Sequence, residues 1–227
     1  MYRNPPNITG PNLKAFFSTR HLSPDRPSPG VLADAFDIPE NGIYLPVQEH
    51  TGTIQIVDND LTPVVADAVI TARKNILIGV LVADCVPVLL YDSNQRIVAA
   101  VHAGWRGTAQ RILINTIEKM NTAFGCVGSD ITIAIGPCIR GCSYEVGEEV
   151  ISGVREATGE GEYYSMKEGR HHIDLSSANM LQAVGAGIPS ANIWQSDECT
   201  FCSHEKFYSY RYTNGCKGRQ GGFIGMW

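Results

Sequence analysis

Between Leu81 and Thr108 the chain reads LVADCVPVLLYDSNQRIVAAVHAGWRGT, which sets the Cys85 thiol, the Asp84 carboxylate, the His102 imidazole and the Arg106 guanidinium among apolar runs of core-strand character. A cysteine held against a histidine supports two chemistries. The imidazole lowers the thiol pKa and makes a nucleophile–base pair for acyl or amide transfer. Alternatively, the same two side chains and one further histidine hold zinc with an open coordination position, which activates water or polarises a substrate oxygen. The residues themselves leave both open. Just downstream, Gly104 to Thr108 forms a glycine-bracketed turn entering a helix, where free N–H groups and the helix dipole favour an anion and Arg106 adds its charge.

Cys85 and His102 act together only if the chain folds them together. Asn75–Val82 and Val88–Tyr91 are apolar nearly throughout, as strands covered on both faces are, and the proline in Ala83-Asp84-Cys85-Val86-Pro87 places a bend between them. Asp92-Ser93-Asn94 is a turn and Ile97–Val101 another buried strand, so an antiparallel hairpin is expected. With the turn centred on Asn94, residues whose numbers sum to about 187 face each other, which sets Cys85 opposite His102. Ala109–Met120 carries helical spacing, begun at Gly107 or Thr108 and closed by Gly125.

The remaining segments supply supporting elements. Leu13–Phe17 is a short strand handing Ser18-Thr19-Arg20 to a turn, where Arg20 is a candidate anion clamp. His50 lies between two strands, Ile43–Val47 and Thr53–Val57, near a sheet end. Ala66–Thr71 reads as an edge strand or loop, Ser129–Pro137 and Ala191–Gln195 as strands, and residues 148–156 as a helix. Thr158–Arg170 reads as a polar loop before a solvated His171-His172 pair, and Asp174 as the N-cap of a helix Leu175–Val184. Phe207–Arg211 has the pattern of an aromatic strand. Cys138 and Cys142 lack a common zinc-ligand spacing and read as thiols packed in a loop. Cys199 and Cys202, with His204 nearby, are half of a zinc knuckle with no second pair at matching distance.

Composition excludes whole classes of function. The formal charge of -5 argues against a nucleic-acid binder, and the longest apolar run, Ile76–Tyr91, is short for a membrane span and carries Asp84. The N-terminal residues show no secretory h-region and the seven cysteines no disulfide framework, so the expected compartment is a reducing cytoplasm. A single domain over residues 1–227 is expected from length and the lack of repeats or linkers. Neither a phosphate-binding GxxxxGK loop nor a GxSxG elbow is present.

The segments ADCVPVLL, AAVHAGWRGT, IAIGPCIRGCSYEVG, DLSSAN, ECTFCSHEKFYSYR and KGRQGGFI together resemble the multi-copper polyphenol oxidase (laccase-like) family, also called the YfiH family, from about Ala66 to the C-terminus. The resemblance implies an α+β fold with a mixed β-sheet core flanked by helices, and a Zn2+ ion held by two histidines and a cysteine. It also implies a purine nucleoside phosphorylase acting on adenosine, inosine and S-methyl-5'-thioadenosine, with adenosine deamination beside it; the partners are then a small nucleoside and phosphate. Matched motif by motif, Cys85 is the cysteine of ADC, His102 the histidine of VHAGW, and His50 in PVQEHTG the third ligand, with Thr51 where glycine is commoner. Phe17-Ser18-Thr19-Arg20 resembles the family's F-x-T-R, which makes Arg20 a phosphate or ribose contact, and Arg106 joins it at the anion-binding turn. Residues 21–36 depart from the family pattern. Asp84 orients a ligand, shuttles a proton, or bonds the bent backbone. A polyphenol oxidase is the weaker reading, since one cysteine and two histidines make no multi-copper cluster. A Cys85/His102 thiol hydrolase and a non-catalytic metal-binding protein remain as alternatives.

Overall fold

The two apolar runs on either side of the ADCVP interruption become strands of different sheets. The computed structural model describes residues 1–227. One sheet has five strands in the order β1 (Tyr2–Arg3), β2 (Leu13–Ser18), β14 (Gln220–Met226), β6 (Ile76–Val82) and β3 (Ile43–Tyr44), antiparallel except for β3 with β6. The other has six, in the order β13 (Ile193–Gln195), β9 (Ile131–Ile135), β7 (Val86–Asp92), β8 (Ile97–Ala103), β5 (Ala68–Thr71) and β4 (Ile54–Ile56). Its outer pairs β13–β9 and β4–β5 are parallel and its centre antiparallel. This is an α+β fold with mixed sheets flanked by helices, as expected, with the sheet core divided in two. Ala66–Thr71, read as an edge strand or loop, contributes an interior strand, β5.

Alternation along each strand explains the continuous apolar runs. Phe17, Ile78, Val80 and Ile224 meet Leu89, Val98, Ala100 and Ala134 in one core between the sheets. The neighbouring residues Val88, Leu90, Ala99 and Val101 point the other way, toward helices α3 (Ile112–Phe124), α4 (Glu148–Thr158) and α5 (Leu175–Gly185). On the far side, Phe16, Leu77 and Phe223 pack under α1 (Pro29–Phe36) through Leu32. With both faces covered, no polar alternation remains to be read.

Gly79 of β6 is required by this packing. A Cβ there would enter the Phe223 ring and stand 3.0 Å from the Gly222 carbonyl oxygen. Phe223 is fully buried and stacked on Phe16 at 5.1 Å, so it cannot move aside. Gly79→Ala is expected to lower stability by about 1–3 kcal/mol, read as a lower urea midpoint with an unchanged slope.

Several local expectations are corrected. The β7–β8 hairpin pairs Asp92 with Ile97 and Pro87 with His102, two residues out of the expected register. The cause is a longer turn: Asn94 and Gln95 donate backbone N–H groups to the Asp92 carboxylate at 2.9 Å each, and Arg96 takes a left-handed backbone (φ 56). The single helix expected from Ala109 divides into α2 (Trp105–Ala109) and α3, with Arg111 at φ 59 between them; Gly125 closes α3 at φ 72. The polar loop at 158–170 instead contains strand β11 (Tyr164–Lys167), which pairs with β12 (Arg170–Ile173) and, through it, with β10 (Glu145–Val146). The aromatic stretch after Phe207 turns into α6 (Tyr210–Thr213), capped by the Ser209 hydroxyl. Asp174 caps α5 by accepting from the Ser177 N–H.

Candidate functional site

The site lies at one end of the core between the two sheets, where three strand ends supply side chains of the same facing. His102 shares the inward face of β8 with Val98 and Ala100, and Cys85 continues the inward face of β7 set by Leu89. Because side chains alternate with period two, the register shift of two leaves both residues on the predicted face. Continuing the β5–β8 register by one step sets Asp67 opposite His102, whose N–H donates to the Asp67 carbonyl oxygen at 2.7 Å. Gly104 makes room: a Cβ there would lie 3.0 Å from Cys85 Sγ and 3.3 Å from the His50 ring.

His50 comes from the loop between β3 and β4 and has a left-handed backbone (φ 60). That conformation curls three successive N–H groups around one carboxylate. Glu49, His50 and Thr51 donate to Asp67 at 3.3, 3.1 and 2.6 Å, and the Thr51 hydroxyl adds a fourth bond at 2.8 Å. The other side of the Asp67 carboxylate takes the His102 Nδ1–H at 2.7 Å. Fully buried Asp67 thus sets both histidines, and leaves the His102 Nε2 to face Cys85. Burial raises its carboxyl pKa, but the bonds from His102 and Thr51 outweigh that and hold it at about 2.

The thiol and the imidazole shift each other. Burial pushes the Cys85 thiol up, yet the His102 charge and hydrogen bond, with those of His50, bring it down to about 6. Burial pushes His102 down, and the Cys85 charge with the Asp67 hydrogen bond lifts it to about 9. The ligand atoms of His50, Cys85 and His102 all lie within 4.8 Å of one another, with Cys85 Sγ 3.9 Å from His50 Nε2. A tetrahedral zinc ion needs such atoms about 3.3–3.7 Å apart, so the donor set fits it with a small adjustment. Exposure runs from open His50 to buried His102, which leaves a fourth direction facing solvent.

That direction opens into a cavity of about 960 Å³. Trp105, Tyr144 and Tyr210 give it aromatic faces, and Arg26, Arg106, Arg211 and Arg219 give it positive charge. Arg106 sits on the first turn of α2 over the Trp105 ring, 4.5 Å from its centroid. Arg20, by contrast, is not among the lining residues. Its guanidinium donates to the His204 carbonyl oxygen at 2.7 Å and lies over Tyr208. The divergent segment 21–36 reaches the cavity through Arg26 to Pro29.

Asp84, with φ 87, is a strained residue at the turn that presents Cys85. Its carboxylate is occupied on both oxygens, accepting from the Thr200 hydroxyl at 2.6 Å and the Arg211 N–H at 2.7 Å. They tie the turn to the Thr200 side chain and to the Arg211 backbone. Asp67, Arg26, Arg211 and Arg219 escaped sequence reasoning. For Asp67 the signal was an acid within the apolar stretch ADAVIT.

Known proteins resemble this chain in sequence and in fold. The family model described as multi-copper polyphenol oxidoreductase laccase matches residues 29–227. A purine nucleoside phosphorylase of Clostridium acetobutylicum is 41% identical over 197 residues, covering 85% of this chain and 80% of that protein. An adenosine deaminase, RL5, from an unknown prokaryotic organism is 35% identical over 206 residues, covering 83% and 76%. The crystal structure of YlmD from Geobacillus stearothermophilus superposes with a TM-score of 0.91 at 27% identity, covering 99% of this chain and 96% of that one. That of YfiH from Bacillus licheniformis gives 0.88 at 27%, covering 100% and 99%. With the sequence match spanning all but the first 28 residues, the chain belongs to the laccase-like multi-copper polyphenol oxidoreductase, or YfiH, family.

Proposed function

We propose that the protein is a zinc-dependent purine nucleoside enzyme that cleaves the glycosidic bond of adenosine, inosine or S-methyl-5'-thioadenosine with phosphate and also deaminates adenosine. The observation that carries this reading is the cavity's composition: a His–Cys–His donor set at one end, four arginines and three aromatic rings around it. The relatives named purine nucleoside phosphorylase and adenosine deaminase point the same way. His50, Cys85 and His102 would hold the ion, which when bound supplies a Lewis acid toward a substrate or water oxygen.

The chain's own groups do the rest. Trp105, Tyr144 and Tyr210 offer faces on which a purine stacks. Arg106, Arg211, Arg26 and Arg219 hold the phosphate dianion, whose oxygen attacks the ribose C1' while the C1'–N9 electron pair leaves with the purine and takes up a proton. Asp67 keeps His50 and His102 oriented throughout. Asp84 keeps the Cys85 turn and the Arg211 backbone in place.

Zinc-loaded protein incubated with adenosine and phosphate is expected to give adenine that depends on phosphate, and inosine from the deamination. The absence of both adenine and inosine sinks the proposal. Arg106→Ala is expected to raise the KM for phosphate about tenfold, the low end of a charged hydrogen bond's worth, because the residue is exposed. The deamination, which uses no phosphate, should be less affected.

A further inference from the structure

Three of the chain's six remaining cysteines make a second cluster that shares no residue with the first. Cys199 and Cys202 form a C-x2-C pair whose partner sequence spacing does not reveal. The fold supplies the partner from the loop after β9. Cys142 Sγ lies 3.7 Å from Cys202 Sγ, and all three sulfurs of Cys142, Cys199 and Cys202 are within 4.8 Å of one another. The Ser143 hydroxyl stands 3.2 Å from Cys202 Sγ and 3.5 Å from Cys142 Sγ.

Backbone ties hold the two loops in this position. Cys138 and Cys199 form a parallel bridge, with the Thr200 N–H donating to the Cys138 carbonyl oxygen at 3.0 Å. The Arg140 N–H points at Cys199 Sγ from 3.4 Å, and the Arg140 guanidinium is locked to Asp174 at 2.8 Å. A sulfur that accepts a backbone N–H is arranged to carry negative charge. Cys199 is buried at the base of the cluster, whereas Cys142 and Cys202 are exposed, so an ion can enter from solvent.

We propose that Cys142, Cys199 and Cys202 are a second metal centre, an all-thiolate site for a thiophilic d10 cation such as Zn2+, with its fourth position open to solvent. Three soft sulfur donors with no carboxylate among them select such ions over magnesium, calcium or manganese. Binding involves no redox step: each sulfur–metal bond that forms sends one thiol proton to solvent. The role is a clip. It joins the loop that carries Tyr144 to the loop whose Thr200 holds Asp84, and so stiffens one wall of the cavity beside Cys85.

The test uses the full chain, reduced and stripped of metal, and does not depend on any nucleoside activity. With Zn2+ added, alkylation by iodoacetamide, mapped by mass spectrometry, is expected to slow at Cys142 and Cys202 about tenfold or more, because metal-bound thiolates are poor nucleophiles. Cys216, which belongs to neither cluster, should label equally with and without zinc. A Cys85→Ala protein, or His50→Ala should that variant fail to fold, keeps the protection at Cys142 and Cys202. In the same background Cd2+ gives a sulfur-to-metal absorption band that Cys202→Ser weakens. Equal labelling at Cys142 and Cys202 with and without zinc overturns the proposal. So does a Cys142–Cys202 disulfide that persists in reductant.

Discussion

A Cys85→Ala protein is expected to fold, to lose the metal of the His50–Cys85–His102 centre, and to turn over nucleosides more slowly by on the order of 1000-fold, the scale lost when a group stabilising transition-state charge is removed. Cys85 is the only anionic donor of that set, so without it two neutral imidazoles are left, one of them on an exposed loop. The fold should survive because the turn is braced elsewhere. Asp84 keeps its bonds to Thr200 and Arg211, and its carbonyl keeps the Ile139 N–H at 3.0 Å. Metal content, circular dichroism and adenosine turnover together decide the matter. A thiol-hydrolase mechanism also loses activity with Cys85, so the second arm is wild-type protein treated with a chelator. Activity that survives metal removal in wild type, and vanishes in Cys85→Ala, would replace the zinc reading with the thiol one.

What could be read from the sequence follows physical lines. Long apolar runs become strands in β6, β7 and β8 because both faces are covered, and polar caps such as Asp174 act within one turn of their own position. The facing of Cys85 and His102 was legible because it depends only on strand parity, whereas their register depended on the turn at Asp92–Ile97, where two extra residues fit around a carboxylate. The division into two sheets was not legible. β6 and β7 are separated by only Ala83 to Cys85, and nothing local says that the chain crosses there from one sheet to the other. The β11–β12 hairpin was hidden because its mostly polar YSMK and RHHI carry no apolar alternation. Arg20 follows its strand as expected, but the Arg20 N–H is drawn to the Lys206 carbonyl and the guanidinium to His204, a pairing over long sequence separation. The Cys142 cluster was invisible for the same reason.

Asp67 makes the strongest test of how the site is assembled, because it touches no cavity yet holds both histidines. Removing it in Asp67→Ala leaves the buried His102 Nδ1–H and three part-buried backbone N–H groups without their acceptor. Breaking a buried charged network of this kind costs about 3–5 kcal/mol. Asp67→Asn separates support of the fold from support of the metal. Its shape is retained and its one carbonyl oxygen serves either the Thr51 side or His102, while the amide nitrogen meets a donor on the other side. The His50 loop or the His102 ring must therefore turn. Zinc affinity at this centre is expected to fall about 10–100-fold, as it does when a carboxylate behind a ligating histidine is lost. The smaller cost in Tm should leave the protein folded, and turnover should return toward wild type as zinc is raised past the weakened Kd. A merely structural carboxylate predicts the reverse pattern, with lowered Tm, unchanged zinc affinity and no recovery with added metal. That outcome would remove Asp67 from the centre's design and leave the two histidines to position themselves.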